Sequence, residues 1–368
     1  MGRAGIRRPR RRRSALSAAL LAGPHVPLAV VERGGAIESV HLGSVAVVDA
    51  DGALVASAGS PDTVAFTRSS LKPLQALPFV LAGGPAHFGL ATEQVALLCA
   101  SHSGEARHQA GVADLLRRAG CQVDELRCGS HAPYVYESLG EAPPPPPYSA
   151  LGHNCSGKHA GMLACCALHG WTREGYLDAG HPLQVAIRAA VARYAGVPGA
   201  TLDAVIDGCS APNYALPLTG LARAYARLVR EGDDADATAS GAIAGAMAAH
   251  PDYVSGERRG DLVLMRAGRG AWISKVGAEG MQAIGLRASG MGVAIKVADG
   301  AGRAVVPVAI AVLDALGALD DAARRDLAPW AAPVLHNARG LAVGRLRPVV
   351  VLDKAVEGRS SPDGRGRR

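Results

Sequence analysis

The 368-residue chain is 49% hydrophobic, with 46 glycines, 4% aromatic residues and a formal net charge of +7. That apolar content excludes a wholly disordered chain and is enough for one large core or two. The charge is terminal: residues 1–13 carry seven arginines and no acid and residues 357–368 a net +2, which leaves −2 for everything between. The basic ends are therefore expected to be disordered tails, and the body gives no support to a nucleic-acid surface.

The run Arg10 to Arg13 precedes Ala15–Ala22, which outlines a signal peptide but is interrupted too early by Gly23 and Pro24; a disordered extension or a start assigned too far upstream is expected instead. No stretch is long enough to cross a membrane, and a cytoplasmic location is expected. Seven cysteines, an odd number, do not form a secreted disulfide framework; reduced thiols, some buried and some ligating metal, are expected.

In chain order, Leu28–Val31 and Ser44–Val48 are β-branched runs, with Asp51-Gly52 marking a turn that suits a hairpin at a sheet edge. Thr67-Arg68-Ser69-Ser70-Leu71-Lys72-Pro73 opens a helix expected to end before Gly83-Gly84. Pro73 fits only its first turn, so Ser69 belongs at or just before the N-terminus. Short helices are expected over 93–99 and 107–118, an extended surface loop over the five prolines 143–147, and helices over 160–169 and 182–194. A short strand, 204–206, precedes Asp207-Gly208-Cys209-Ser210, and helices follow near 216–230 and 238–249. Strands over 272–280 and 292–297 and a helix over 305–316 complete the reading. The order predicts one sheet built from both ends of the chain and packed with helices.

Ser69 and Lys72 stand three apart, one helical turn from each other. A neutral lysine can take a serine's proton if burial and nearby cations lower its pKa. Ser-x-x-Lys serves serine β-lactamases in this way, but the pair is common by chance and equally describes a helix start with a solvated lysine. Ser101 alone reads as a helix cap with Glu105 as partner, and Lys275 alone as a solvated strand lysine. Cys155 and Cys209 differ from Cys99, Cys121, Cys128, Cys165 and Cys166, which read as small buried hydrophobes: each lies in a polar loop beside charged groups, Lys158 and His159 for one and Asp207 for the other.

Together, five segments resemble the Rhizobium-etli-type (class 3, asparaginase II-like) L-asparaginases. They are Thr67–Pro73, Cys99–Glu105, Gly152-His153-Asn154-Cys155-Ser156-Gly157-Lys158-His159, Asp207–Pro212 and Ser274–Gly280, supported by Pro27–Gly34. The likeness covers residues 26–355 and implies one domain there, between a basic leader (1–25) and tail (356–368). It implies an α+β fold of the serine β-lactamase and glutaminase type, mostly antiparallel sheet packed with helices. It also implies hydrolysis of L-asparagine by two serine–lysine pairs, Ser69 with Lys72 and Ser101 with Lys275, with Ser69 attacking; the reverse assignment of the serines stays open. The resemblance further implies Zn2+ held by Cys155, Lys158 and Cys209, and a homodimer. A lysine ligand is not what spacing alone suggests, since His159 is the more ordinary donor. His159, Asp207 and Asn154 are the candidate substrate-binding residues. Another amide hydrolase, such as a glutaminase or β-lactamase, and a non-enzymatic binding protein are the competing readings; no Lys-Thr-Gly segment supports the β-lactamase one.

Overall fold

The computed structural model describes residues 24–355. The expected basic leader and tail lie outside them except for Pro24 and His25.

Nine strands form the main sheet: β1 (Val26–Arg33), β2 (Ala36–Val48), β3 (Leu54–Ala58), β4 (Trp272–Gly277), β5 (Met281–Leu286), β6 (Gly292–Val297), β7 (Val334–His336), β8 (Ala342–Pro348) and β9 (Asp353–Lys354). Their order is β7-β8-β1-β2-β6-β5-β4, every pairing antiparallel, with β3 between β2 and β9. Ten helices of seven residues or more accompany it among the described residues: α1 (Lys72–Leu81), α2 (Thr92–Leu98), α3 (Ala106–Arg118), α4 (Ser156–His169), α5 (Pro182–Ala195), α6 (Leu218–Leu228), α7 (Ala235–Ala249), α8 (Gly260–Gly268), α9 (Gly302–Ala315) and α10 (Asp321–Ala331).

The sheet does join the two ends of the chain, but the hairpin turned at Asp51-Gly52, β2–β3, places β2 in the sheet's interior rather than at its edge. β2 is 13 residues long; its first half pairs with β1, its second with β3, and β6 runs along its other side. The reason lies in its side chains. Val45 and Val47 point into one core with α9 and α10, while Ala46 and Val48 point into another with α1 to α7. A strand covered on both faces reads as a continuous apolar run rather than an alternation, and such a strand is central. β1 and β2 are joined by Gly34-Gly35, both at positive φ, as a two-residue hairpin turn matching strand twist requires.

The C-terminal half also differs from the reading in detail. The run expected over 272–280 stops at Gly277; Glu279 and Gly280, both at positive φ, turn the chain into β5, an unanticipated strand lying between β4 and β6. After the expected helix, α9, the chain adds α10 and three short strands. Those strands are mostly exposed or half-buried and carry little of the apolar signal that marks a strand in sequence.

On the α1 side the sheet presents small residues, and α6 packs almost onto its backbone. A Cβ on Gly292 would lie 1.8 Å from Ala222 O, and one on Gly285 2.9 Å from Tyr225 O. α6 is thereby fixed beneath the turn that carries Ser69.

Candidate active site

Ser69 lies on a 3-10 turn, Arg68–Leu71, that runs directly into α1, with Pro73 in the first helical turn where its missing N–H costs nothing. Arg68 has φ +50°, a region that costs a non-glycine residue about 1–2 kcal/mol. Asn213 holds it there: Arg68 N donates to Asn213 Oδ1 and Asn213 Nδ2 donates to Arg68 O, each at 3.0 Å. Asp207 takes the guanidinium (Nε–Oδ1 2.7 Å). Although burial raises the Asp207 pKa, the Gly208 N–H, Arg68 and the nearby Lys158 hold its carboxyl below the ordinary value. Gly277, at the end of β4, lies so close that a Cβ there would be 2.6 Å from Thr67 O.

Ser69 and Ser101 line one cleft of about 630 Å³, together with Asn154, Tyr134, Arg258, Arg259 and Val276 to Ala278. Lys72 is buried beneath them. Its Nζ donates to Ala100 O (2.5 Å) and Ser101 Oγ (2.9 Å) and approaches Asn154 O (3.5 Å). The hydrogen-bonded serine–lysine pair is therefore Lys72 with Ser101; Ser69 Oγ makes no hydrogen bond among the described residues. Ser101 is not a helix cap, since α3 begins after Glu105. Its N–H donates to Val254 O (2.9 Å) and its carbonyl accepts from Arg259 Nη1 (2.7 Å), whose guanidinium stacks 5.0 Å from the centre of the Tyr134 ring. Asn154 N donates to His131 Nε2 (3.2 Å), and His131 Nδ1 lies 2.7 Å from Ala132 O.

Lys275 is fully buried and makes no hydrogen bond to either serine among the described residues. Its Nζ reaches Asp261 Oδ2 (3.2 Å) and Val276 O (2.8 Å). Burial brings its pKa down to about 8; Asp261 opposes that shift, and the positive charges of Lys72 and Arg259 add to it. Asp261, from α8, also accepts from Ser274 Oγ (3.0 Å), Val276 N (2.9 Å) and Gln282 Nε2 (3.2 Å).

Cys155, Lys158 and Cys209 form a second buried cluster beside the Arg68–Asp207 pair. Lys158 Nζ donates to Cys209 Sγ (2.9 Å). A hydrogen bond from Cys209, then the charges of Lys72 and Lys158, hold the Cys155 thiol far below its ordinary pKa despite burial. Burial alone would lower the Lys158 pKa, but Cys209 and Cys155 outweigh it and raise the value. His159 is buried next to Cys209; burial drives its pKa down to about 4, Tyr176 Oη sits 2.7 Å from its Nδ1, and its Nε2 is buried without a partner. Two thiols, one favouring the thiolate, beside an unsatisfied imidazole nitrogen match the soft donors that zinc takes. Their arrangement matches less well: among the described residues no three of His, Cys, Asp or Glu are grouped to hold a metal, and the neighbouring thiols favour the protonated form of Lys158. The seven cysteines are all free and buried.

His102 and His153 serve the loops. His102 Nδ1 accepts from Gly104 N (3.1 Å), and His153 Nδ1 from Cys155 N (3.0 Å). Of the three expected substrate binders, Asn154 lines the cleft, Asp207 braces Arg68, and His159 lies on the thiol cluster. Asp261, Arg259, Asn213 and Tyr134 were not anticipated. They stand far from the serines in sequence within unremarkable local patterns, and only the fold brings them in.

A family model described as L-asparaginase II matches residues 29–348. No curated protein matches the chain. Among solved structures, a Bacteroides dorei DSM 17855 protein described as a "putative beta-lactamase" is similar at TM-score 0.38 and 12% identity, over 74% of this chain and 93% of its own.

Proposed function

The chain belongs to the L-asparaginase II family, and on that premise we propose that it hydrolyses the side-chain amide of L-asparagine to L-aspartate and ammonia by acyl transfer to serine. The observation that carries the reading is the single cleft in which Ser69 and Ser101 stand over a buried lysine, Lys72. Ser69 Oγ attacks the amide carbonyl; it is the hydroxyl without a competing bond, at the N-terminal end of α1, whose dipole favours a developing negative charge. Lys72, one turn on, takes its proton. Ser101, hydrogen-bonded to Lys72, passes that proton on to the leaving nitrogen, and Lys275, which bonds neither serine, acts through the charge it places near Lys72. Water then releases aspartate. Arg258 and Arg259, beside Glu137 on the cleft wall, offer positive charge to the substrate's α-carboxylate.

Zinc would be held by Cys155, Cys209 and Lys158; when bound it supplies positive charge that helps place the substrate. The hydroxyls are activated by the lysines, and Arg68 and Asp207 tie the thiol cluster to the Ser69 turn.

A specific observation favours a second reading, in which Ser101 attacks: its Oγ is 2.9 Å from Lys72 Nζ. Ammonia release from L-asparagine, measured beside Ser69→Ala and Ser101→Ala, separates the two. The first reading expects Ser69→Ala to lose at least about a thousandfold in kcat and to form no acyl adduct by mass spectrometry. An adduct that persists in Ser69→Ala and disappears in Ser101→Ala transfers the attack to Ser101. A wild type inert to L-asparagine, with L-glutamine and nitrocefin tested alongside, would leave the amidohydrolase without this substrate.

A further inference from the structure

A second cleft, of about 400 Å³, lies on the far side of α6; four arginines line it, Arg193 from α5, Arg223 and Arg227 from α6 and Arg230 just beyond its end, against two carboxylates, Asp51 and Asp236. The last three arginines are spaced i, i+4 and i+7, on one helical face. Their charges are only partly answered. Arg193 pairs with Asp236 (3.0 Å) and Arg230 with Asp234 (2.5 Å), while Arg223 and Arg227 have no carboxylate partner among the described residues. Arg223 Nε is buried with no acceptor. Burial, Arg223 and Arg230 together hold the Arg227 guanidinium below its ordinary pKa, as expected of crowded cations.

The backbone is shaped around this cluster. A Cβ on Gly196, at the end of α5, would lie 2.0 Å from Arg223 Nη1, and one on Gly52, in the β2–β3 turn, 2.7 Å from its Nε. Only residues without a Cβ at 52 and 196 leave room for the Arg223 guanidinium in this position. Crowded, preorganised guanidinium forks with an unsatisfied donor suit a ligand that brings several anionic oxygens. The volume admits a small molecule rather than a helix or a duplex.

The same helix reaches the catalytic turn. Tyr225, on the face of α6 opposite the arginines, donates its Oη proton to Ser70 O at 2.7 Å, one residue after Ser69. With Gly292 and Gly285 packed against its backbone, α6 has little room to move without carrying Tyr225 along.

We propose that the arginine cleft is a regulatory binding site for a small polyvalent phosphate, pyrophosphate or a phosphate ester, whose occupancy reaches the Ser69 turn through α6 and Tyr225. The regulatory part rests on the asparaginase reading; the binding part does not.

Isothermal titration of the full-length protein with pyrophosphate, then with glucose 6-phosphate and citrate, tests the site. Saturable one-to-one binding is expected, weakened at least about tenfold in Arg227→Gln/Arg230→Gln, whose more accessible side chains can change without emptying the Arg223 cradle. Neutralising Arg10 to Arg13 to glutamine should leave binding intact. No saturable binding, binding unchanged in the double variant, or binding lost with the N-terminal arginines overturns the site. Pyrophosphate outcompeting the ester identifies the free anion; the reverse order identifies the ester; citrate binding best overturns the phosphate assignment. L-asparagine turnover is then followed with and without the preferred ligand. A shift in kcat or KM in the wild type, absent from the double variant and from Tyr225→Phe, supports the coupling. Binding with unchanged turnover overturns it. If the enzyme is inert to L-asparagine, the calorimetric arm still decides the site.

Discussion

Lys275 is a lysine shut away from water with one carboxylate, Asp261, beside it. Its pKa is lowered to about 8 from an ordinary value of 10.5. Between those pH values the unfolded chain carries a proton that the native chain lacks, so the stability contributed by this group rises with pH across that window. Urea unfolding of wild type against Lys275→Met should show the wild type gaining on the variant from pH 7 to 10; a constant difference would refute this. If turnover requires Lys275 neutral, kcat/KM should climb with an apparent pKa near 8. Asp261→Asn should move that limb to lower pH, because Asp261 holds the ammonium in place. If Cys155 and Cys209 hold zinc as proposed, Cys155→Ser should abolish zinc uptake, read as metal content, and chelation of the wild type should raise KM while largely sparing kcat.

At the scale of elements, the Ser69 turn is held from outside itself. Asn213 satisfies both backbone groups of Arg68, and β4 closes over Thr67. Asn213→Ala should therefore cost about 1–3 kcal/mol in chemical denaturation and lower kcat further than that loss of stability explains, because Arg68 is released from its positive φ. α6 supplies the other support. Gly292→Ala would drive a methyl group against the Ala222 carbonyl, and a destabilisation of about 3 kcal/mol or more is expected from its thermal transition. A Gly292→Ala protein as stable as wild type would mean that α6 can lift off the sheet, and the close packing invoked here would not hold.

For the whole molecule, the two ends of the chain build one sheet and the middle builds the helical cover on the face where the cleft opens. No helix among the described residues is long and apolar enough to cross a membrane. The resemblance to class 3 asparaginases carries the expectation of a homodimer, and light scattering should return twice the 37.5 kDa chain mass. A single-chain mass at micromolar protein would set that expectation aside.

Much was legible in the residues themselves. The short segments around Ser69, Ser101, Cys155, Cys209 and Lys275 each combine an uncommon polar pattern with a turn or helix start, and such local chemistry survives in a linear string. Pro73 and the Asp51-Gly52 turn likewise announced their places, because backbone restrictions act on neighbours. Which lysine meets which serine did not follow from spacing: Lys72 reaches Ser101, 29 residues away, because α1 and the loop after α2 converge on the cleft. Nor could the string reveal that Lys275 answers to Asp261, that Arg68 depends on Asn213, or that β2 is central rather than peripheral. Those facts depend on which surfaces the chain buries against each other, and burial sets both the pKa of Lys275 and the course of β2 through the sheet.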